Sequence, residues 1–596
     1  MRHDEMLGLL HHLLEAGTDT SIRWAFYWEC AFWLLVLLVA ALLLATRPQW
    51  LTRVETAFRR VASHQAASIV VVFASVFVLR FAALSFIPVP IPVLHDEFSY
   101  LVGADTFAHF RLTNPPHPMW IHFETFHVNM LPTYQSMYPP AQAMAIAVGQ
   151  VLFHSPWLGV VLSIAVMCAV FCWMLQAFLP PHWALAGGLF AAVRLGIFSY
   201  WINSYFGGAM AAIGGALLVG SLARMRRKPS TVQAALFVLG LAILANSRPM
   251  EGFLFALPMT IGLLVMAMRA GDQRKLWLRH VVLPGALLLV FVVGWMGYYN
   301  LRGTGHITTM PYIVNQARYH FSKPLLFQKP YPLGHYNHPE MRAFYIFHEM
   351  PDVLMAQNSW GIQFLIARNY TAYYVFLVWP LLLLFAPALL LAATDRELRL
   401  PLVATLVMFA GATFQLWPAH GHYAAPAAGA ILLMMLSALR RLGASTQPAR
   451  YQALARSIIL CLMLWMLVPM ADRWMNPYFF DVPPGRIDNS IPRQMQRATI
   501  ESRLMRTPGQ HLVIVHYPSH DIPAQDWIFN AADIDGSKIV WARDMGPTAN
   551  QELLRYYPNR TAWYVDRGGW AVPTPYATLM ALTHPDQQLL PATDSH

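Results

Sequence analysis

Charged residues are scarce in this chain. Of its 596 residues only 12% are charged and 57% are hydrophobic, and the mean hydropathy is +0.41. An ordinary soluble domain has about 25% charged residues, so the composition excludes a soluble protein and indicates an integral membrane protein. Cysteine is scarcer still, and every cysteine lies inside an apolar stretch, which excludes a disulfide framework and a zinc site with paired-cysteine spacing. The cysteines are Cys30, Cys168, Cys172 and Cys461.

A continuous basic surface is also missing. The formal net charge is +11, but no basic stripe interleaved with aromatic residues runs along a polar segment, so we expect no nucleic acid partner. The basic residues instead form short clusters between apolar stretches, which is the positive-inside pattern of cytoplasmic loops. The clusters are Arg47/Arg53/Arg59/Arg60, Arg224/Arg226/Arg227/Lys228, Arg269/Arg274/Lys275/Arg279 and Arg440/Arg441.

Apolar stretches recur along most of the chain and are long enough, or nearly so, to cross a hydrocarbon core of ~30 Å. They comprise residues 24–46, 66–86, 158–178, 234–246, 252–268, 281–299, 373–393, 400–417, 423–439 and 458–470. We therefore expect an all-α polytopic membrane bundle of about 11–13 transmembrane helices in the lipid bilayer. The runs 511–517, 538–541 and 561–565 are β-rich and a helical run covers 550–557, which predicts a small C-terminal α/β domain.

The basic clusters also predict the topology. If they lie inside, the loops 87–140 and 301–372 and the soluble domain 471–596 all lie on the outer side. The expected domains are 1–65, an N-terminal helix with a cytoplasmic loop; 66–470, the transmembrane domain with both outer loops; and 471–596. Between residue 140 and the cluster at 224–228 the chain has four apolar pieces where an odd number is required. We interpret 141–153, ~20 Å long, as a partial or re-entrant helix, and the alternative is a miscount at 199–208.

The first outer loop opens with His95, Asp96 and Glu97 directly after a membrane helix. Basic and aromatic residues anchor a helix end better than carboxylates do, and partial burial would raise the carboxyl pKa toward general-base use. The alternative is a solvated pair in the first turn of a helix, where Asp and Glu are favoured.

The order of motifs resembles a known family. The Asp-Glu pair follows an early membrane helix; proline- and aromatic-rich loop segments come next; and Tyr138-Pro139-Pro140 opens the next apolar segment. With NSRPMEG at 246–252 and PAHGHYAAP at 418–426, this order resembles the C-type (GT-C) glycosyltransferase superfamily, especially family 39 protein O-mannosyltransferases and lipid A aminoarabinose transferases. The likeness covers roughly residues 66–440, and each motif alone is common.

The resemblance implies that Asp96 is the catalytic carboxylate, supported by Glu97. It also implies that the guanidinium of Arg248 binds the departing phosphate of a lipid carrier. A guanidinium suits this role because it can donate to two phosphate oxygens at once, and such charged hydrogen bonds are strong in a cleft of low dielectric constant. The alternative for Arg248 is a snorkelling arginine at a helix end. Three more residues, His420, His422 and Tyr423, could add donors to the same phosphate, and the alternative for each is an interfacial residue. Arg111 and Arg318 are weaker candidates for phosphate binding.

The remaining candidates are assigned to the acceptor or the cleft: His95, Tyr100, Glu124, His127, Tyr138 and Glu251. The chain departs from the aminoarabinose transferases before its Pro-Pro segment, where Met137-Tyr138 replaces a charged residue, so a contact to the carrier phosphate is absent or moved. His95, Asp96, Glu97 and Glu124 could group around a divalent cation such as Mg²⁺ or Mn²⁺, and we assign no metal. The histidines of 301–372 lack compact metal spacing and are interpreted as surface or packing residues.

The function that the resemblance implies is inverting transfer of a sugar from a polyprenyl-phosphate donor to an acceptor hydroxyl on a glycan, lipid or protein. The enzyme would be a multi-pass protein of the plasma (inner) membrane, with its active site and C-terminal domain on the periplasmic or extracellular side. An alternative is a transporter or flippase of lipid-linked or small solutes, which would place ionisable residues such as Arg80 and Arg194 in mid-helix. A further alternative is a non-catalytic assembly or sensory protein.

Overall fold

The computed structural model describes residues 34–35, 38, 49–85, 87–197, 199–376, 379–416, 421–443, 491–518, 526–568 and 572–583. Most of the expected helix at 24–46 and all of the one at 458–470 lie outside these residues.

The membrane part is a helical bundle. Within the described residues, six helices are long and apolar enough to cross a membrane, and three apolar helices are shorter. The expected fold class, an α-helical membrane bundle with a small C-terminal α/β layer, is confirmed, whereas the count of about 11–13 transmembrane helices stays a prediction. The helices of this part are α1 (Gln49–Ala62), α2 (Gln65–Ala82), α3 (His95–Ala108), α4 (Pro140–Phe153), α5 (Pro156–Leu175), α6 (Pro181–Gly196), α7 (Ala209–Arg227), α8 (Thr231–Ala245), α9 (Pro249–Met268), α10 (Leu283–Thr304), α11 (Pro311–Tyr319), α12 (Pro339–Met355), α13 (Ser359–Phe376), α14 (Trp379–Thr394), α15 (Arg399–Ala412) and α16 (Ala428–Gly443).

Proline begins many of these helices, because its fixed φ suits the first helical position and its missing N–H costs nothing there. Small residues then let helices approach closely. A Cβ on Gly215 of α7 would lie 1.8 Å from the carbonyl oxygen of Pro426. This approach seats the 3₁₀ turn Gly421–Ala427, which precedes α16, directly against α7.

Helix α4 begins and ends at one end of the bundle. Its Ala141 N–H donates to Asn246 at the end of α8, and Trp157, just after α4, donates to Ile202 in the connection before α7. Gly214 near the start of α7 packs on Leu244 near the end of α8, so these two contacts lie at the same end. Between residue 140 and Arg224, α5 and α7 are long and apolar enough to cross a membrane, and α4 is a shorter apolar helix. The number of crossings in this stretch and the re-entrant interpretation of 141–153 stay predictions.

The C-terminal residues form a small α/β layer. Strands β3 (His511–His516), β4 (Ile539–Arg543), β5 (Thr561–Asp566) and β6 (Thr574–Pro575) form a sheet in the order β4-β3-β5-β6. β3 pairs in parallel with β4 and β5, and β6 is antiparallel to β5. The helices of this layer are α17 (Ile491–Arg506), α18 (Pro547–Tyr556) and α19 (Tyr576–Thr583).

This layer packs onto the first outer loop. Leu512 and Val540 of the sheet share one buried cluster with Phe98, Val102 and Phe123 of the loop region. The sequence did not predict this contact. It places the C-terminal layer beside the segment that holds Asp96.

Candidate active site

The first turn of α3 sends its two carboxylates in different directions. One Glu97 oxygen accepts from the backbone N–H groups of Val93 and Leu94, at 2.7 and 2.9 Å, and the other accepts from Tyr205 N–H at 3.1 Å. Glu97 is 3% exposed, whereas the Asp96 side chain is 31% exposed. Successive helical residues point about 100° apart, so only Asp96 faces the cleft. Glu97 therefore fixes the start of α3 as a capping residue and does not reach a substrate.

Two side chains from a short hairpin meet Asp96. Strands β1 (Val128–Asn129) and β2 (Gln135–Ser136) pair antiparallel, which brings the residues flanking them, His127 and Tyr138, together. His127 Nδ1 lies 2.6 Å from Asp96 Oδ1, and the Tyr138 hydroxyl donates to the same oxygen. His127 has φ 59°, in the left-handed region that non-glycine residues rarely occupy. The local fold therefore places this imidazole at some cost.

These contacts set the charge state of Asp96. Burial by itself would raise its pKa, but the imidazoles of His127 and His95 and the donors His127 and Tyr138 outweigh burial, so the pKa lies well below its usual range. Burial and the neighbouring His95 lower the pKa of His127 to about 4, against the opposing effect of Asp96. At neutral pH Asp96 is therefore an ionised acceptor and His127 a neutral donor.

A stacked pair of tyrosines lies beside Asp96, and another tyrosine lies against the candidate cation. The ring of Tyr138 stacks on Tyr100 at 4.5 Å, and the guanidinium of Arg248 lies 4.4 Å from the ring centre of Tyr423. Burial, Arg248 and Asp96 all act on the hydroxyl of Tyr100, and the net effect raises its pKa. Asp96 and Arg248 therefore lie around one tyrosine, with Arg248 at the beginning of α9.

Arg248 keeps its charge. Burial would lower its pKa, but Tyr423, Tyr100 and Glu251 raise it above its ordinary value. Glu251 is buried and accepts from the Gln415 amide at 2.7 Å. A cation held among tyrosines is a suitable partner for a phosphate at a membrane surface.

His422 lies beside this group with a fixed orientation. Its Nδ1 lies 2.8 Å from the Tyr200 hydroxyl, and the same hydroxyl accepts from the His422 backbone N–H at 2.8 Å. Its ring contacts Tyr423 at 4.9 Å. His420 lies outside the described residues, so its place stays a prediction.

Two of the expected site residues lie elsewhere. Glu124 is buried and accepts from the Tyr319 hydroxyl at 2.6 Å and from the Asn337 amide at 2.8 Å, which makes it a link between the two outer loops. Arg111 is exposed after the end of α3 and lies 3.5 Å from Asn114. Arg111 comes at the other end of α3 from Asp96, ~20 Å away at helical rise. It therefore does not lie with the residues around Arg248 that are expected to bind the phosphate.

The group that could hold a cation differs from the one expected. Ligand atoms of His95, Asp96 and His127 lie within 4.8 Å of one another. Glu97 and Glu124 do not belong to this group, because their oxygens accept from other residues. Two imidazoles with one carboxylate suit Mn²⁺ or Zn²⁺ better than Mg²⁺, which prefers oxygen ligands.

The C-terminal layer holds the segment before His127. The buried Arg543 donates to the Glu124 carbonyl oxygen at 2.8 Å and to Glu340 at 2.7 Å, and it pairs with the buried Asp526. Asp526 in turn accepts from the Thr125 hydroxyl at 2.7 Å. One ion pair thus ties the C-terminal layer to both outer loops, two or three residues from the imidazole that binds Asp96.

A second imidazole–carboxylate pair lies behind His127. His320 Nδ1 lies 2.7 Å from Glu349 Oε1, and both side chains are buried. The His320 ring lies parallel to that of His127 at 5.9 Å. Nothing in the spacing of the histidines in 301–372 distinguished His320 from its neighbours.

Arg80 is one of the charged residues that the transporter alternative would use, and it has a structural role instead. It is buried and donates to the carbonyl oxygens of Ile87 and Pro88 and to the Asn203 side chain, at 2.8 to 3.1 Å. It therefore ties the end of α2 to the connection before α7.

No family model and no curated protein matches this chain. Among solved structures, ArnT from Cupriavidus metallidurans in the apo state is similar at 14% identity and a TM-score of 0.47, over 87% of this chain and 95% of that one. The Archaeoglobus fulgidus oligosaccharyltransferase, in complex with Zn and sulfate, is similar at 10% identity and a TM-score of 0.46, over 84% and 67%. The same archaeal enzyme, AglB, with an inhibitory peptide and a dolichol-phosphate, is similar at 12% identity and a TM-score of 0.40, over 84% and 69%. ArnT is a lipid A aminoarabinose transferase, and both proteins belong to the C-type superfamily that the sequence motifs resemble.

Proposed function

We propose that this protein is an inverting glycosyltransferase that moves a sugar from a polyprenyl-phosphate donor to an acceptor hydroxyl. The observation that carries the proposal is the ionised Asp96, set by two donors, in one group of tyrosines with the charged Arg248. A base and a separate cation, each in contact with a tyrosine, match the two ends of a displacement at a sugar carbon.

Asp96 orients the acceptor and takes its proton. Its Oδ1 already accepts from His127 and Tyr138, so its other oxygen is the one that the acceptor hydroxyl meets. A carboxylate with a lowered pKa is a weak base, but a hydroxyl that attacks an oxocarbenium-like carbon becomes acidic as the bond forms. Proton transfer is therefore expected late in the step.

Arg248 stabilises the leaving group. Polyprenyl phosphate gains a negative charge as it departs, and a guanidinium that is already in place stabilises that charge without reorganisation. The Tyr423 ring lies against the Arg248 guanidinium, and His422 keeps Tyr423 in place through ring contact.

The step balances in atoms and charge. A bond forms between the acceptor oxygen and the anomeric carbon, and the bond from that carbon to the phosphate oxygen breaks on the opposite face. The acceptor proton passes to Asp96 and then to water, and the electron pair of the broken bond leaves on the phosphate. A single displacement of this kind inverts the anomeric configuration.

A divalent cation fits the residues around Asp96. His95, Asp96 and His127 would hold it, and as a Lewis acid it would lower the pKa of the acceptor hydroxyl beside Asp96. The Nδ1 atom of His127 would then have to give up its contact with Asp96.

The positive-inside pattern supports a site on the outer face of a plasma or inner membrane. The α/β layer lies on the same side, since it packs on the first outer loop. We infer that this layer helps to bind the acceptor, whether a glycan, a lipid or a protein.

The test is sugar transfer from a labelled polyprenyl-phosphate donor by protein reconstituted in membranes. Asp96→Asn is expected to lower the rate about 10²- to 10⁴-fold and Arg248→Gln about 10²- to 10³-fold. Asp272→Asn is the matched control, because Asp272 is exposed in the turn after α9. If both site variants transfer at the rate of the parent while they remain folded, the assignment is wrong.

A further inference from the structure

A cavity lies at the far end of the bundle from Asp96. It has a volume of ≈ 220 Å³ and lies between the C-terminal halves of α7 and α9, the start of α15 and the residues just before α15. Its apolar lining includes Phe178, Val219, Leu222, Met259, Met266 and Leu400.

The cavity is separate from the candidate active site. Arg248 precedes the first residue of α9, whereas Met266 belongs to the last turn of the same helix. At ~1.5 Å per residue these positions are about 25 Å apart along the axis, close to the thickness of a hydrocarbon core. A ligand in this cavity would therefore lie at the opposite membrane surface.

Three arginines and one glutamate complete the lining: Arg226, Arg227, Arg396 and Glu397. Backbone contacts hold two of the guanidinium groups, since Arg227 donates to the Ala177 carbonyl at 2.6 Å and Arg226 donates to the Arg396 carbonyl at 3.3 Å. Each guanidinium has five N–H donors, so most donors remain available to an anion. The charge balance of the lining is positive.

We propose that this cavity binds an anionic phospholipid. The arginines contact the phosphate of the headgroup, and the apolar floor receives the first carbons of an acyl chain. The volume is smaller than the ~300–1,000 Å³ of pockets that enclose a whole small molecule, so the rest of the chain runs along the helices into the bilayer. Free phosphate would use the arginines but leave the floor uncovered. This inference does not depend on the proposed sugar transfer.

The test uses delipidated full-length protein in detergent, titrated with short-chain phosphatidylglycerol while thermal unfolding is followed. A ligand of the folded state raises Tm with concentration. Phosphatidylglycerol is expected to raise Tm, and phosphatidylcholine and inorganic phosphate are not. Arg226→Gln combined with Arg396→Gln should need at least about tenfold more phosphatidylglycerol for the same shift, because charge-assisted hydrogen bonds are lost.

The matched control is Lys228→Gln combined with Arg269→Gln, which removes two exposed charges at the same end without touching the lining. It is expected to follow the parent. Met266→Trp fills the floor without changing charge and should also weaken lipid binding, so it covers the case in which the arginine variant fails to fold. The proposal is overturned if the control variant loses as much affinity for phosphatidylglycerol as the arginine variant, or if Met266→Trp binds this lipid like the parent. It is also overturned if phosphatidylcholine or inorganic phosphate raises Tm as much as phosphatidylglycerol does.

Discussion

Arg543 offers the sharpest test of how the C-terminal layer supports the site. In Arg543→Gln the buried Asp526 loses its cation, and the Glu124 carbonyl loses its donor. Removing one partner of a fully buried ion pair costs about 3–5 kcal/mol. The partly exposed Glu340 can turn to water, so its loss adds little. We expect the free energy of unfolding to fall by roughly that 3–5 kcal/mol.

The same substitution should slow transfer. Arg543 and Asp526 hold Glu124 and Thr125, the residues that lead to the strained His127. When this segment loosens, the hydrogen bond to Asp96 weakens, and we expect kcat to fall about tenfold or more with little change in the KM for the donor. Guanidinium denaturation and steady-state transfer assays of the reconstituted protein measure the two effects.

Two comparisons test whether Arg543 stabilises the C-terminal layer and positions the site. Arg503→Gln removes an exposed arginine from α17 of the same layer and should leave both quantities unchanged. The double variant Arg543→Gln/Asp526→Asn removes both charges and should recover part of the lost stability, because no unpaired charge stays buried. If Arg543→Gln behaves like Arg503→Gln, or if stability falls while kcat is unchanged, the C-terminal layer does not position the site.

Three further results are expected around Asp96. Tyr138→Phe removes the hydroxyl that fixes the Asp96 carboxylate, so kcat should fall about tenfold with little change in the KM for the donor, and an unchanged kcat would contradict the contact. Folded His127 stays neutral between pH 6.5 and about 4 while an unfolded histidine binds a proton, so its share of the acid destabilisation is up to roughly 3 kcal/mol. His127→Gln should remove that share in urea denaturation and leave the share of His338, whose pKa burial also lowers to about 4; an unchanged slope would contradict the assignment to His127. If His95 and His127 hold a cation, chelation should lower the transfer rate, and Mn²⁺ should restore it better than Mg²⁺. Full activity after chelation would contradict a metal at this site.

Local chemistry was enough to predict part of the site. The helical period decides that one member of the Asp96-Glu97 pair faces the cleft, and Asp96 is the one that does. Tyr138 and Arg248 were found through motifs that resemble the C-type superfamily, Tyr138-Pro139-Pro140 before α4 and NSRPMEG at the start of α9. The β-rich runs near residues 511, 539 and 561 were recognised as strands, because alternating apolar residues mark them without reference to the rest of the chain.

Long-range contacts were beyond the sequence. His127 meets Asp96 because the β1–β2 hairpin folds back onto α3, and no local pattern predicts this contact between residues 31 positions apart. Glu124 was interpreted as a cleft residue, yet it is a buried acceptor for Tyr319 and Asn337, about two hundred positions later in the chain. The pairing of Arg543 with the first outer loop joins segments that no local pattern connects.

The central claim is that Asp96 acts in the chemical step after the donor has bound. The most direct test is a single-turnover measurement on donor already bound to the enzyme, comparing the parent with Asp96→Asn after addition of an acceptor. The account predicts that both proteins retain the labelled donor with similar affinity, and that only the parent rapidly releases polyprenyl phosphate together with an equal amount of inverted product. Release at the parental rate by Asp96→Asn, or a product with retained configuration, would contradict it.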